Sequence, residues 1–357
     1  MVQNKGIIYK SHPKGFPKDG DLAVEVREID LSSAPEGGVI LKNHVVSFDP
    51  YMRGRMRPAE AKSYSPAFTL DQPINSAGVS KVIRSDHADF KEGDIVKGHI
   101  SMEEYTAVPA AYCGGLAKLE NPYNLPFGYF LGALGMPGLT AYSSFYEIGK
   151  PKRGETIFIS SASGAVGAIV GQLAKREGLR VIGSAGSDEK VAFIKNELGF
   201  DEAFNYKTES PWTAVKKYAP EGVDIYYDNV GGETLDAVLE NAKDFARFIE
   251  CGMISQYNLT DKKDIYGVKN LLLVIPKRIT IRGFIVGDPG MGSKYTKEHQ
   301  ENVSKWLSTG ELVYRVDVTN GIDSALEGFV GMLQGKNFGK AVLLIGDIDD
   351  PSTESKL

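Results

Sequence analysis

Residues 156–167 join an apolar, β-rich run to a glycine turn of the kind that binds phosphate. The run TIFI is followed by the spacing Ser161-x-x-Gly164-x-x-Gly167 and then by a helical pattern. Small residues at this spacing let the backbone approach a pyrophosphate, which the free N–H groups and positive end of the new helix then bind. The first glycine of the G-x-G-x-x-G fingerprint is absent. The residues that we expect to contact the pyrophosphate are Gly164, Ala165, Val166 and Gly167.

The strand that follows predicts which dinucleotide binds. An NAD site carries Asp or Glu at the end of this strand, where the carboxylate holds the ribose 2′-hydroxyl. Here the strand 180–184 runs into Gly186 and Ser187 without an acid, and Lys190 follows one turn into the next helix. Lys190 alone would be read as a solvated lysine. Together with the missing acid, it favours a 2′-phosphate and therefore NADPH over NADH.

Composition excludes several classes of protein. The chain has 357 residues, a formal net charge of −5 and two cysteines, Cys113 and Cys251. No basic cluster is interleaved with aromatic residues, so nucleic acid is not an expected partner. We expect no signal peptide and no membrane span, because no apolar run is long enough. Two cysteines exclude a disulfide framework and favour a reducing or redox-neutral compartment.

The pattern along the chain predicts an α/β protein in which one domain is inserted into another. Residues 1–125 read as mainly β, residues 126–311 alternate strands with helices, and residues 312–357 return to β runs with one helix. Such alternation predicts a Rossmann doubly wound parallel sheet. The surrounding β-rich parts form the second domain. The strands expected in the alternating region are 156–160, 180–184, 224–228, 248–254 and 279–285.

Metal-ligating residues do not cluster along the sequence. A catalytic zinc needs three protein ligands and a structural zinc usually four, mostly Cys and His. The two cysteines are far apart, and no histidine stands beside another ligand at metal spacing. We therefore expect no metal, and we expect Cys251 to be a core residue. The histidines expected at the surface or in turns are His12, His44, His87, His99 and His299.

Several strings resemble the medium-chain dehydrogenase/reductase superfamily, in particular its zinc-free branch of prostaglandin reductases and alkenal double-bond reductases. The resemblance implies a Rossmann domain that binds NADPH and a GroES-like substrate domain. It covers nearly the whole chain, and its strings appear in family order. They are DPYMRGRM (49–56), GMPGLTAY (135–142), SGAVGAIVGQLAK (163–175), GSAGSDEKVAFIK (183–195), FNYK (204–207), YDNVGGE (227–233), CGMISQYN (251–258) and NFGKAV (337–342).

The resemblance also implies roles for residues within these strings. Tyr257 would bond the carbonyl or enolate oxygen of the substrate, and Tyr51 would form a wall of its pocket. Lys190 and Tyr206 would hold the 2′-phosphate together with Ser187. The remaining cofactor contacts implied are Asn229 at the nicotinamide ribose, Phe284 and Val286 at the carboxamide, and Asn337 at the pyrophosphate.

This residue set predicts a hydride transfer that needs no metal. An α,β-unsaturated aldehyde or ketone accepts hydride at its β-carbon, and the charge that develops on the carbonyl oxygen needs a hydrogen-bond donor. The expected function is therefore NADPH-dependent reduction of an activated C=C bond. The alternatives are an NADPH quinone reductase and, from another class, a non-catalytic NADPH-binding protein.

Two further expectations concern assembly and location. Relatives pair the edge strand of the nucleotide domain across a two-fold axis, so the resemblance implies a homodimer through strand 279–285. The chain ends in Ser355-Lys356-Leu357, the tripeptide that a peroxisomal import receptor reads. We expect a peroxisomal protein, or a cytoplasmic one if the signal is not used.

Overall fold

The chain folds into two units, which we describe from a computed structural model of residues 1–349. One unit contains Met1–Leu131 together with the described residues from Val316 onward, and the other contains Gly132–Arg315. These boundaries lie a few residues beyond those expected at 125/126 and 311/312.

The strands and helices follow one another in the order of their numbers. The strands are β1 (Val2–Tyr9), β2 (Leu22–Ile29), β3 (Val39–Ser47), β4 (Asn75–Ser85), β5 (Ile95–Ser101), β6 (Tyr105–Val108), β7 (Ala117–Lys118), β8 (Thr156–Ile159), β9 (Arg180–Ala185), β10 (Glu202–Asn205), β11 (Val223–Asp228), β12 (Ala242–Glu250), β13 (Thr280–Gly283), β14 (Val316–Asn320) and β15 (Lys340–Leu344). The helices are α1 (Tyr51–Arg55), α2 (Ala110–Cys113), α3 (Met136–Ser144), α4 (Gly167–Arg176), α5 (Asp188–Asn196), α6 (Pro211–Tyr218), α7 (Gly232–Asn241), α8 (Gly292–Thr309) and α9 (Ala325–Leu333).

The unit Gly132–Arg315 is built on a parallel sheet. Its strand order is β10-β9-β8-β11-β12-β13, and every neighbouring pair is parallel. The order reverses between β8 and β11, and open sheets of this kind bind their ligands outside the carboxyl ends of the strands at that point. Phe158, Tyr226 and Phe248 lie fully buried at its centre. The predicted Rossmann sheet is confirmed.

The other unit is built on mainly antiparallel strands. The order of its large sheet is β14-β15-β3-β4-β5-β7, with β6 added on β3, while β1 and β2 form a separate pair. The strand β15 pairs in parallel with β14 and antiparallel with β3. The C-terminal strand therefore lies inside a sheet that the N-terminal residues begin. The predicted mixed α/β class, with a separate β-rich domain, is confirmed.

A buried ion pair joins the two ends of the chain within this unit. The Lys340 side chain is 1% exposed, and its Nζ atom lies 2.9 Å from Asp49 Oδ1 and 2.6 Å from the Phe48 carbonyl oxygen. Burial lowers the pKa of Lys340, and the Asp49 charge opposes that shift. The pair fixes the DPYMR string, which carries Tyr51, against the NFGK string, which carries Asn337.

Two local expectations for the parallel sheet were incomplete or wrong. The strand β10 was not anticipated. The strand expected at 248–254 is wrong, because β12 ends at Glu250. The Cys251 N–H makes the last bond of the parallel ladder, to the Asp228 carbonyl oxygen at 2.9 Å. The Gly252 N–H turns back to the same oxygen at 3.1 Å, so the chain leaves the ladder there.

The expectation for His299 was also wrong. This side chain is fully buried in α8, and its Nε2 atom donates a hydrogen bond to the Ala133 carbonyl oxygen at 2.8 Å. A buried imidazole is stable here because its N–H group donates a hydrogen bond to that carbonyl group.

Of the helices described within residues 1–349, none is both long and apolar enough to cross a membrane.

Candidate active site

The glycine turn after β8 has the geometry that a pyrophosphate requires. Ser161 adopts a positive φ of 52°. A Cβ atom on Gly167 would lie 2.5 Å from the Ser161 carbonyl oxygen and 2.8 Å from Ala162 Cα, so no side chain fits there. No side chain caps α4, so the positive end of its dipole faces the turn. The turn Gly164–Gly167 therefore fits a dinucleotide.

The turn after β9 gathers the residues expected at the 2′-phosphate. Ser187 caps α5 by accepting a hydrogen bond from the Lys190 backbone N–H at 3.3 Å. The Tyr206 hydroxyl lies 3.0 Å from the position that a Cβ on Gly186 would take. The nearby Asp188 carboxylate accepts a hydrogen bond from Asn205 at 2.8 Å. This arrangement suits the 2′-phosphate of NADPH, since the Ser187 and Tyr206 hydroxyl groups lie at the turn. The Asp188 carboxylate, which would repel a phosphate, is held by Asn205.

Lys207 is a candidate contact that the sequence analysis missed. Its Cε atom lies 3.4 Å from the same Cβ position on Gly186, and the residue is exposed. Lys190, by contrast, is 9% exposed, so packing fixes much of its side chain. The signal for Lys207 was its place directly after Tyr206. It became visible only because β10 brings the FNYK string beside the end of β9.

The loop after β11 carries Asn229 and is tied to β8. The Asn229 backbone N–H donates to Ser160 Oγ at 2.9 Å, and its side-chain amide donates to the Ser160 carbonyl oxygen at 2.8 Å. Gly231 and Gly232 adopt positive φ angles of 70° and 59°. Asn229 therefore lies at the carboxyl edge of the sheet, and its two hydrogen bonds to Ser160 fix the position of its loop.

Tyr257 lies in the next loop, after β12. Its hydroxyl oxygen accepts a hydrogen bond from the Met253 N–H at 3.1 Å, which leaves the hydroxyl proton available for another acceptor. The residue is 38% exposed, yet its hydroxyl end is sheltered, and that burial raises the pKa of Tyr257. The phenol therefore stays neutral and able to donate throughout the physiological pH range.

The same edge explains why Cys251 is not a nucleophile. Its thiol lies beside the Tyr227 hydroxyl, and burial raises its pKa to about 12. A thiol with such a pKa is not ionised at neutral pH. The residue as a whole is only partly buried, so the expectation of a core position holds for its sulfur rather than for its backbone.

The two residues expected at the nicotinamide carboxamide lie in the segment that follows β13. Phe284 and Val286 are both half-buried there.

Tyr51 and Asn337 belong to the other unit. Burial, followed by the Asp49 carboxylate, raises the pKa of Tyr51, and Arg55 opposes that shift. Arg55 is itself buried and donates to the Pro66 carbonyl oxygen at 3.0 Å and to the side chain of Asn75 at 2.9 Å. The Asn337 amide donates to the Gly339 carbonyl oxygen at 2.7 Å and so stabilises its own turn.

The loop that Arg55 supports borders an open groove of about 720 Å³. The groove is lined by residues 57–70 and by His12. Arg57 closes the loop through hydrogen bonds to the Gly54 and Ala61 carbonyl oxygens, both at 2.9 Å.

Across residues 1–349, no group of three or more His, Cys, Asp or Glu side chains is placed to hold a metal ion.

A positively charged side chain at the 2′-phosphate should make the protein bind NADPH more tightly than NADH. We expect Lys190→Ala to raise the Kd for NADPH about tenfold or more and to change the Kd for NADH much less, because charge-assisted hydrogen bonds contribute about 1.5–3 kcal/mol. Lys207→Ala should act in the same direction. Lys195→Ala is the matched control, because it removes an exposed lysine of the same helix, α5, whose partner is Glu202 of β10. Equal losses for both cofactors in fluorescence titrations would contradict the assignment of Lys190.

Comparison with known proteins places these features in a family. Residues 5–115 match the family model described as the N-terminal domain of oxidoreductase, and residues 165–306 match the one described as zinc-binding dehydrogenase. The NADP-dependent oxidoreductase RED1 of Cochliobolus heterostrophus is 55% identical over 98% of this chain and 99% of its own. The NADP(+)-dependent 2-alkenal reductase of Nicotiana tabacum is 46% identical over 96% and 98%.

A solved structure carries the same conclusion. CurA from Vibrio vulnificus, solved in complex with NADPH, is 35% identical, covers 96% of this chain and 99% of its own, and superposes with a TM-score of 0.86. These similarities extend over almost the full length of each protein. The chain therefore belongs to the zinc-free, NADP-dependent branch of the medium-chain dehydrogenase/reductase superfamily that contains the alkenal reductases, and its cofactor is NADPH.

Proposed function

We propose that this oxidoreductase reduces the C=C bond of α,β-unsaturated aldehydes and ketones, with hydride added to the β-carbon. The observation that carries the proposal is the placement of Tyr257. Its hydroxyl lies at the carboxyl edge of the parallel sheet, one loop from Asn229, and its oxygen already accepts the Met253 N–H. A neutral phenol held in this way is a donor aimed at developing negative charge.

The chain's own residues then divide the work. NADPH supplies the hydride when it is bound. Tyr257 donates a hydrogen bond to the substrate oxygen and stabilises the enolate that forms as the β-carbon is reduced. The glycine turn, Ser187 and Lys190 hold the nucleotide so that the reacting atoms stay in near-attack geometry. The α-carbon then takes a proton from solvent or from an acid, which completes the reduction.

The alternatives remain an NADPH quinone reductase and a non-catalytic NADPH-binding protein. The tobacco relative supports the alkene reductase over the first, because its name gives 2-alkenals as its substrates. Tyr257 and the phosphate residues are all present, which opposes the second. A turnover panel of 2-alkenals, cyclic enones and quinones with NADPH separates the three functions.

Removing the Tyr257 hydroxyl should slow the chemical step and leave cofactor binding intact. We expect Tyr257→Phe to lower kcat on enones by about a hundredfold, which corresponds to the loss of about 3 kcal/mol from one oxyanion donor. The Kd for NADPH should hardly change. Tyr218→Phe, on the remote helix α6, is the control, because its hydroxyl is hydrogen-bonded to Glu209 and Lys217. Unchanged enone kinetics in Tyr257→Phe would remove this residue from the mechanism.

We also propose that two copies of the chain form a dimer through β13. This strand lies at the edge of the parallel sheet, and all four of its residues are exposed. The preceding segment presents Leu272 and Ile275, each 74% exposed. Exposed strand edges and apolar patches of this kind are usually covered. Light scattering should give about twice the chain mass of 38.8 kDa, and the double variant Leu272→Glu/Ile275→Glu should shift it toward the monomer. A monomeric wild-type protein would refute the dimer.

Finally, we propose a peroxisomal location. The residues that would carry it, Ser355, Lys356 and Leu357, lie outside the described residues, and the proposal rests on the tripeptide alone. A fluorescent protein fused in front of the intact C-terminus should appear in puncta with a peroxisomal marker. Deletion of the last three residues should disperse it into the cytosol. Diffuse fluorescence from the intact fusion would reject this location without affecting the proposed reaction.

A further inference from the structure

Two carboxyl groups lie side by side beneath the cofactor-binding edge of the sheet. Asp228 ends β11 and Glu250 ends β12, and the parallel register places the two residues opposite each other. Neighbouring strands lie about 4.8 Å apart, so the two side chains are within reach of one another. Asp228 is fully buried, and neither carboxyl oxygen of Glu250 is in contact with solvent. The reaction described above uses neither group.

The hydrogen bonds of this pair are unevenly distributed. Asp228 Oδ1 accepts from Ser160 Oγ at 3.1 Å, from the Tyr226 hydroxyl at 2.7 Å, and from the backbone N–H groups of Val230 and Gly231, both at 2.8 Å. Asp228 Oδ2 and both Glu250 oxygens receive no hydrogen bond from the residues described. Two buried carboxylates in this arrangement repel one another and lack donors. A proton on Glu250, donated to Asp228 Oδ2, resolves both problems.

Among residues 1–349, the groups around the pair supply no positive charge that could replace this proton. Tyr226, Cys251 and Tyr257 are the titratable groups whose interactions with the pair are resolved, and all three are neutral at pH 7. On β13, Glu250 is paired with Gly283, which has no side chain. The adjacent Arg282 directs its guanidinium toward Met291 Sδ, 3.9 Å away. Burial, together with the Asp228 charge, raises the pKa of Glu250 to about 8, so the proton is present at neutral pH.

Two loops of the active site depend on Asp228. Its carboxylate holds the N–H groups of Val230 and Gly231, and it also binds Ser160 Oγ, which accepts the Asn229 N–H. Its main-chain carbonyl oxygen accepts the N–H groups of the two residues that follow β12, at the start of the loop that carries Tyr257. The two loops are also joined directly, since the Ile254 N–H donates to the Asn229 carbonyl oxygen at 3.2 Å.

We propose that Glu250 is a positioning residue for NADPH: its carboxyl proton, shared with Asp228, keeps the 229–232 loop in the conformation that binds the cofactor. Loss of this proton places a second negative charge beside Asp228. The buried pair then separates or draws in water, and the loop that Asp228 holds is displaced. The inference concerns the cofactor and is independent of which substrate the enzyme reduces.

The test is the pH dependence of NADPH binding, followed by cofactor fluorescence from pH 6 to 9.5. In the wild-type enzyme we expect the Kd to rise about tenfold between pH 7 and pH 9, because one proton with a pKa near 8 is linked to binding. Glu250→Gln keeps a hydrogen-bond donor and cannot ionise, so this rise should be absent. Glu240→Gln, which changes an exposed glutamate of the same unit, should follow the wild type. The same pH profile in wild type and Glu250→Gln overturns the proposal.

A second measurement on the cofactor-free enzyme separates positioning from a failure to fold. The unfolded chain ionises Glu250 at an ordinary pKa of 4.5, whereas the folded state holds the proton up to about pH 8. Between these values the folded state binds one more proton, so the Glu250 contribution to stability falls as the pH rises. The Tm of the wild type minus that of Glu250→Gln should therefore become smaller from pH 5 to pH 8. A difference in Tm that does not change with pH overturns the shared proton.

A second variant covers the case in which Glu250→Gln does not fold. The amide of Asp228→Asn can donate to an ionised Glu250, so this variant should also lack the rise in Kd with pH. Retention of the rise overturns the proposal.

Discussion

One buried carboxylate, that of Asp228, determines the path of the backbone around the cofactor. An ionised group in the interior is stable only when donors surround it. The four donors on Asp228 Oδ1 come from the end of β8, from β11 and from the loop after β11. Any displacement of that loop would leave the charge without its partners. The glycine-rich segment at residues 231–232 therefore has one conformation even though glycine permits many.

The other unit uses the same principle at a different place. Asp49 is buried, and Lys340 supplies the opposite charge from a strand almost three hundred residues away in sequence. Removing one member of such a pair is costly because the other is left buried and uncompensated. Arg55 acts similarly on a smaller scale, since its guanidinium spreads hydrogen bonds over Pro66 and Asn75 and stacks 4.0 Å above the Phe68 ring. In each unit, a charge that needs partners positions the residues around it.

The features that the sequence predicted well are those encoded locally. The glycine turn after β8 and the missing acid after β9 depend on residues next to one another, and a single pass along the chain detects them. The fold class followed from the alternation of strands and helices, which is also a local pattern. The structure shows the conformation of the turns that carry the site residues. The contacts that these residues make with cofactor and substrate remain predictions.

The features that escaped prediction depend on contacts between distant segments. Lys207 approaches the Gly186 turn only because β10 pairs with β9. The strand β12 ends at Glu250 because the Gly252 N–H turns back to the Asp228 carbonyl oxygen, which already accepts the Cys251 N–H. A histidine has no sequence signal that separates a surface position from a buried one. His299 tolerates burial because its Nε2 atom donates to the Ala133 carbonyl oxygen. No propensity scale contains such information.

The position of β15 has a consequence for synthesis on the ribosome. The chain of the Rossmann unit is continuous, so all of it has been made before Val316 is added. The large sheet of the other unit cannot be completed at that stage, because β15 belongs between β14 and β3. Until Lys340 emerges, Asp49 lacks its counter-charge, and the apolar side chains that pack on Phe329 and Leu343 are uncovered. The segment synthesised first is therefore the last to reach its native state, and during translation it is the part of the nascent protein that most needs protection by chaperones.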